Sequence, residues 1–564
     1  MAIVVVLAGS YLGYQRLSDS GCTGSVRLTV AATTEIATAV EQTAQSWIQN
    51  GANVNGTCIA VTVNPIQPAI MAAAVAGEHR VTLNGVGTAP ESVKVPDVWI
   101  PDSSTWLLRL KQEAPGFVPT DGKPVAQSPI VVAMPQPVAE QLGWPNKRLG
   151  WKDLLTQLTT STQLRTGVVD PNRDAAGLSG LLALGQAAGA GPQAQAVKVG
   201  ALKALAQSSS ALREDLLQKF PHDPNDIATA LSAAPLSEQD VISYDAERPP
   251  VPLAALYLDP SPLPLDYPYA IMPEVDLQKS AAATALHQQL NSAAFKNALA
   301  SAGLRAPDGS VGSGFAAPTS APEASPAISS DGKSSGGSAA AGQPGAAALS
   351  QALGSWSAIT LPGRALAVFD VSGSMLKPVP TAGGATRAAV TQAAASGGLA
   401  LFDDKWAVGV WLFSTDMNGT KPYREIVPIS PLSSQRSKIQ ASISQIVPKR
   451  NGNTGLYDTL LAAYQNVQNS WQPGKVNSVL LFTDGVNEND EGITQDTLIA
   501  RLKQLNDPKR PVRVVIIGIG PEVNRKELET IVKPTAAGGV FIAPDPAKIG
   551  EIFLEAIATR TGAN

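Results

Sequence analysis

The chain has few of the residues on which hydrolytic metal sites and catalytic triads depend. Its 564 residues include three histidines, His79, His222 and His287. They are too few and too scattered for a zinc site built on histidine clusters or for a Ser-His-Asp hydrolase. There are two cysteines, Cys22 and Cys58, and no CxxC pair. In an exported protein such a pair reads as one disulfide, and in the cytosol as two separate thiols. Charge is also sparse. Charged residues make up 16% and the net charge is −4, which leaves no electrostatic footprint for nucleic acid. A phosphate-binding loop is absent: Gly332-Lys333-Ser334 copies the end of that motif, but Ala327 stands where its first glycine belongs. No nucleophile stands beside a base, so the expectation is a binding protein without enzymatic activity.

No apolar run is long enough to cross a bilayer, which needs about 20 residues. The nearest is AIVVVLAGSYLGY at 2–14, which also lacks the basic start of a signal peptide. It reads either as the tail of a membrane anchor or as a buried strand. Arg16 and the polar run Ser18-Asp19-Ser20-Gly21 just after it favour the anchor. Cys22 is a poor lipidation site, because Asp19 stands where a small or apolar residue is needed. The expectation is a partial anchor over 1–21 with the rest on the extracytoplasmic face of the cell membrane. In that setting Cys22 and Cys58 form a disulfide.

What is present is apolar content of 44% in alternating strand-like and helix-like stretches. The length calls for two or three domains. Residues 306–348 are dominated by Ala, Gly, Ser and Pro. Such a stretch cannot bury a core and is expected to be a flexible tether. It separates a domain over 22–305 from one over 349–564.

In the first segment, short strands repeatedly run through a small polar turn into a helix. VRLTVAATTEIATAVEQTAQSWIQN starts at Val26, and its helical part has Ile36, Val40, Ala44 and Trp47 at helical spacing. A turn of this kind at a helix N-terminus suits an anion or a polar ligand. The stretches AATTE, PDVWIPDSSTW, AQSPIVVAMP, DPNRDAAGLSG and YPYAIM occur in an order that resembles type II periplasmic solute-binding proteins, nearest the molybdate- and sulfate-binding branch. The resemblance implies two α/β lobes, at about 24–125 plus 255–305 and at 130–250, with a solute between them. By position it implies ligand contacts from Thr33, Thr34, Ser103, Ser104, Gln127, Ser128 and Ala176. Read without a ligand, the hydroxyls are helix caps. The first turn departs from the oxyanion-binding pattern: it carries Thr-Thr followed by Glu35, and a carboxylate disfavours a bound anion.

In the second segment ALAVFDVSGSM (365–375) is an apolar strand that stops at Asp370 and continues into Ser372 and Ser374. This puts hard oxygen donors at the carboxyl edge of a sheet, where open α/β sheets bind ligands. The spacing suits Mg²⁺, which takes oxygen ligands and keeps some positions open. Strands alternate with helices to the end of the chain, which implies a mostly parallel, doubly wound sheet. The segment resembles a von Willebrand factor type A domain. That family's metal-ion-dependent adhesion site is matched by Asp370, Ser372 and Ser374, by Thr454 in NGNTGLYD, and by Asp484 in FTDG. The resemblance implies Mg²⁺, or Mn²⁺ or Ca²⁺, with an open position for a carboxylate of a partner protein. The acidic run 487–491 either rims that face or is a solvated loop.

The fold class is thus α/β: a two-lobed periplasmic-binding-protein-like domain, a linker and a Rossmann-like von Willebrand A sheet. The expected function is metal-dependent docking of a protein partner by a membrane-anchored protein, with a small solute or a scaffolding role for the first domain. Alternatives are a solute-capture receptor and a chelatase-type metal-insertion subunit. The second of these works with an ATPase.

Overall fold

The computed structural model describes residues 22–558, apart from 84, 121, 148, 152, 155, 156, 158–163, 190, 191, 326–344, 361, 474, 508 and 509. The expected anchor over 1–21 and residues 326–344 of the tether lie outside these. Among the described residues no helix is long and apolar enough to cross a membrane. The chain divides into two compact units between Ala352 and Leu353.

The first unit has two lobes. Strands β1 (Ser25–Ala32), β2 (Asn53–Val54), β3 (Thr57–Pro65), β4 (Val98–Ile100), β5 (Lys123–Pro124) and β11 (Pro268–Ile271) build a six-stranded sheet in the order β2-β3-β1-β4-β11-β5. β1 runs parallel to β3 and β4. The helix Thr34–Gln49 buries Ile36 and Val40, which join Leu28 and Val30 of β1 in one core. The second lobe holds β6 (Ile130–Pro135), β9 (Ala234–Ser237) and β10 (Leu253–Leu256) in the order β10-β6-β9, with β7 (Val168–Val169) paired to β8 (Ser209–Ser210). A bond between Cys22 and Cys58 joins the chain ahead of β1 to β3, with a Cα–Cα distance of 5.3 Å.

Two boundaries differ from expectation. β10 pairs with β6, so the return to the first lobe comes at β11 and not at 255. LAAL is apolar on both faces and carries no signal for which sheet takes it. The described start of the tether also lies along the first domain. Gln127 donates to the Pro307 carbonyl at 3.2 Å, Lys296 to Ser310 at 2.6 Å, and the Ser313 N–H to Asn297 at 2.9 Å. Hydrogen bonds fasten this stretch, and composition does not report them.

The second unit is one six-stranded sheet in the order β16-β15-β12-β17-β18-β19. It comprises β12 (Gly363–Asp370), β15 (Ala407–Asn418), β16 (Lys421–Pro431), β17 (Val476–Thr483), β18 (Arg513–Ile519) and β19 (Ala536–Ala543), with a small β13–β14 pair (Pro378–Val379, Ala385–Thr386). All eight residues of β12 are buried, because helices cover both faces. Ala365, Ala367 and Phe369 pack with Phe402, Trp406 and Phe553 on one side. Leu366 and Val368 pack with Leu456, Leu460 and Tyr464 on the other. From β12 the chain builds outward to β15 and β16, then crosses to β17. β12 is therefore the point where strand order reverses, and the crevice for a ligand lies at its carboxyl end.

Candidate functional site

Three loops meet at that crevice. β12 and β17 run parallel, with Phe369 opposite Phe482, so Asp370 and Asp484 leave the ends of adjacent strands. Asp370 is fully buried, and Ser372, Thr454 and Asp484 are nearly so. Asp370 accepts from the Ser372 N–H at 2.8 Å and from the Thr483 hydroxyl at 2.7 Å. The Ser372 and Ser374 hydroxyls lie 2.9 Å apart, and Ser374 donates to Asp484 at 2.6 Å.

Thr454 arrives on the loop before the helix Leu456–Asn469. That loop is tied to the first by the Gly373 N–H on the Gly452 carbonyl at 2.9 Å. A Cβ on Gly373 would stand 2.6 Å from the Arg450 carbonyl oxygen, which only glycine avoids. A Cβ on Gly485 would lie 3.5 Å from the Thr454 hydroxyl, which places that hydroxyl beside the Asp484 turn. The acidic run is not merely solvated. The Glu488 N–H donates to the Thr454 carbonyl at 2.8 Å, and Asn487 accepts from the Tyr457 N–H at 3.1 Å. It braces the start of the Thr454 helix.

The structure thus brings together all five side chains that the sequence singles out in this segment. It adds a sixth, Arg387, at the start of the helix Arg387–Leu401. Arg387 donates to the second oxygen of Asp484 at 2.8 Å and to Glu522 at 2.5 Å. Nothing local in the sequence marks it, since its partners lie 97 and 135 residues away.

The donors are all oxygen: two carboxylates and three hydroxyls, a set for a hard cation. Burial, then the negative charge of Asp484, pushes Asp370 up to about 7. A carboxylate in that position lacks positive charge, and a divalent ion among these oxygens would supply it. Arg387 engages one oxygen of Asp484, and the Ser374 hydroxyl the other. The residues therefore fit the group. Among the described residues, no cluster of three or more His, Cys, Asp or Glu is placed to hold a metal, and this site depends on its hydroxyls.

The cleft of the first unit has a different chemistry. It encloses about 300 Å³ and is lined by residues of both lobes, among them Thr34, Glu35, Asp102, Asp174, Arg213 and Asp240. Of the seven candidate solute contacts only Thr34 lines it, and its hydroxyl donates to Glu35 at 3.2 Å. Thr33 is the N-cap residue of its helix, but its buried hydroxyl has no hydrogen-bond partner. Ser103 caps the helix Ser104–Glu113, and the Ser104 N–H donates to Asp266 at 2.6 Å. Gln127 and Ser128 form bridges to Arg305 and Leu265, and Ser128 accepts from the Gln239 N–H at 3.1 Å. Ala176 is packed in the core. The cap reading accounts for Ser103. The cleft is dominated by carboxylates instead of hydroxyls. Of these the sequence marks Glu35 alone, because Asp102, Asp174 and Asp240 read as ordinary turn and cap residues.

Residues 28–305 match the family model described as bacterial extracellular solute-binding protein, and residues 366–555 match the von Willebrand factor type A domain. Two curated relatives, both uncharacterized proteins of Mycobacterium tuberculosis strains, are 26% identical over 605 residues, covering 98% of this chain and 82% of theirs. Among solved structures, a von Willebrand factor type A protein from Catenulispora acidiphila is 22% identical, with a TM-score of 0.28, over 35% of this chain and 42% of that one. The sulfate-binding protein SubI of M. tuberculosis is 16% identical, with a TM-score of 0.33, over 51% of this chain and 88% of its own. A mussel byssus proximal thread matrix protein, described with a zinc-occupied MIDAS motif, is 18% identical, with a TM-score of 0.27, over 35% of this chain and 48% of its own. Both matched domains are of kinds that typically serve binding. The chain joins a solute-binding-protein domain at 28–305 to a von Willebrand factor type A domain at 366–555.

Proposed function

We propose that this is an extracytoplasmic, membrane-anchored binding protein. Its von Willebrand A site takes Mg²⁺, with Mn²⁺ or Ca²⁺ as substitutes, and docks an acidic group of a partner protein. The observation that carries the reading is the convergence of Asp370, Ser372, Ser374, Thr454 and Asp484 from three separated segments, with Asp370 buried and pushed up to about 7. Asp370, Ser372, Ser374, Thr454 and Asp484 would hold the ion, and the ion would supply a Lewis-acidic position for an outside carboxylate. The apolar run before residue 16 and the Cys22–Cys58 bond support an anchored domain in an oxidising compartment.

The test uses the full chain. Titration calorimetry with MgCl₂ is expected to show one binding event that Asp370→Ala abolishes. Capture from membrane extract on the immobilised chain in Mg²⁺ is expected to yield a partner released by chelator. A partner retained both in chelator and by Asp370→Ala would sink the reading.

A further inference from the structure

In the first domain, three helix N-termini face the interlobe cleft: those of Thr34–Gln49, Ala175–Ala187 and Glu238–Ala246. Helix starts of this kind attract anions. Here each already has a carboxylate of the chain's own. Glu35 sits in the first turn of the first helix. Asp174 is the N-cap of the second, accepting from the Gly177 N–H at 2.8 Å. Asp240 closes a capping box with Ser237 in the third. Asp102, buried at the end of β4, is a fourth, held by the Trp106 indole N–H at 2.9 Å.

One guanidinium meets all four. Arg213 lies 2.6 Å from Asp174, 3.2 Å from Asp102, 3.4 Å from Asp240 and 3.6 Å from Glu35. Asp174, Asp240 and Arg213 belong to the second lobe, and Glu35 and Asp102 to the first. Further bonds cross beside it: Arg109 to the Asn172 carbonyl and Arg173 to the Val86 carbonyl, each at 2.8 Å.

We propose that Arg213 is the resident occupant of the interlobe cleft: the two lobes are held closed on a guanidinium supplied by the chain itself. The class of group this cleft recognises is therefore a planar organic cation, and oxyanions are excluded. Four carboxyl groups surround the position; Asp174 and Asp240 cap the helix starts at Ala175 and Glu238, and Glu35 places a carboxylate in the first turn of the helix from Thr34. Each carboxylate also has a hydrogen-bond partner other than Arg213. Asp102, Asp174 and Asp240 have those described above, and Glu35 accepts from the Tyr267 hydroxyl at 3.2 Å. The cage is thus built independently of its occupant. A planar fork with five N–H donors can serve several carboxylates at once, which an ammonium cannot do with the same geometry.

The test follows lobe closure in the full chain. Spin labels are placed on Glu41→Cys in the first lobe and Gln218→Cys in the second, both exposed positions, and their distance is read by pulsed electron resonance. The expected result is one narrow distance in the parent chain, unchanged by sulfate, molybdate or methylguanidinium. Arg213→Gly is expected to lengthen or broaden it, and methylguanidinium, but not equal sodium chloride, to restore it. Asp174→Asn keeps the helix cap but removes the closest charge partner. It is expected to broaden the distribution, and it carries the test if Arg213→Gly does not fold. The proposal is overturned if oxyanions tighten or shift the parent distance. It is also overturned if a folded Arg213→Gly chain keeps the parent distance or ignores methylguanidinium, or if Asp174→Asn leaves the distribution unchanged.

Discussion

Replacing Arg387 by methionine isolates the electrostatics of the metal face. The side chains are similar in length, so packing changes little and the guanidinium is the main loss. Arg387 is 5% exposed and Asp484 is 2% exposed, so their 2.8 Å contact is a buried pair. Removing one partner of such a pair costs about 3–5 kcal/mol, because the other charge is left uncompensated. The second contact, to Glu522, adds little, since that carboxylate is half exposed and such pairs contribute at most about 1 kcal/mol. For a domain of this size each kcal/mol moves the melting temperature by about 2–4 °C. Arg387→Met in chelator should therefore melt about 6–20 °C below the parent.

The structure also predicts how Mg²⁺ acts on this variant. In the parent one buried carboxylate, Asp370, lacks a counter-charge. In Arg387→Met both Asp370 and Asp484 do. A divalent ion binding only the folded form stabilises by mass action, and it relieves more repulsion in the variant. The Mg²⁺-induced rise in melting temperature should be larger in Arg387→Met than in the parent. Calorimetric scans of the full chain, with and without chelator, check both statements. The reasoning is refuted if the variant melts within 2 °C of the parent in chelator, or if Mg²⁺ stabilises it less than the parent.

Stability of the first domain should fall with rising pH. Asp102 is raised from 3.8 to about 8, chiefly by burial, with Glu35 and Asp174 adding to the rise and Arg213 opposing it. A carboxyl that holds its proton more tightly when folded contributes stability in full below about pH 4, and that stability is lost as pH rises through about 8. Melting temperatures from pH 5 to 9 should decline less steeply in Asp102→Asn, and equal slopes would count against the assignment. Reducing the Cys22–Cys58 bond opens a loop of 36 residues' separation, for which chain entropy gives about 4 kcal/mol. Cys22→Ser with Cys58→Ser should lower the melting temperature of the first domain and leave Mg²⁺ binding by the second unchanged in titration calorimetry.

Much of the second unit is legible in its sequence. Asp370, Ser372 and Ser374 follow an uninterrupted apolar run, and a strand buried on both faces must look like that. Asp484 ends a second such run, and Thr454 opens a helix after a glycine-containing loop. Oxygen ligands at a strand end are a local property, so the pattern alone singled out Asp370, Ser372 and Ser374 and the doubly wound sheet, while Thr454 and Asp484 joined them through the resemblance to von Willebrand factor type A domains. The sequence also pointed to the disulfide, through the pairing of two cysteines with an N-terminus that argues for export. Only the tertiary structure decided which charges answer those carboxylates. Arg387 reaches Asp484 across 97 residues, and Arg213 reaches Asp102 across 111. Coulombic partnership depends on distance in space, and nothing at Arg213 announces four carboxylates from two lobes. The same limit turned the first cleft from a row of hydroxyls into an acidic cage. Serines and threonines at helix starts are visible one by one, whereas the net charge of a cleft exists only after its two walls have met.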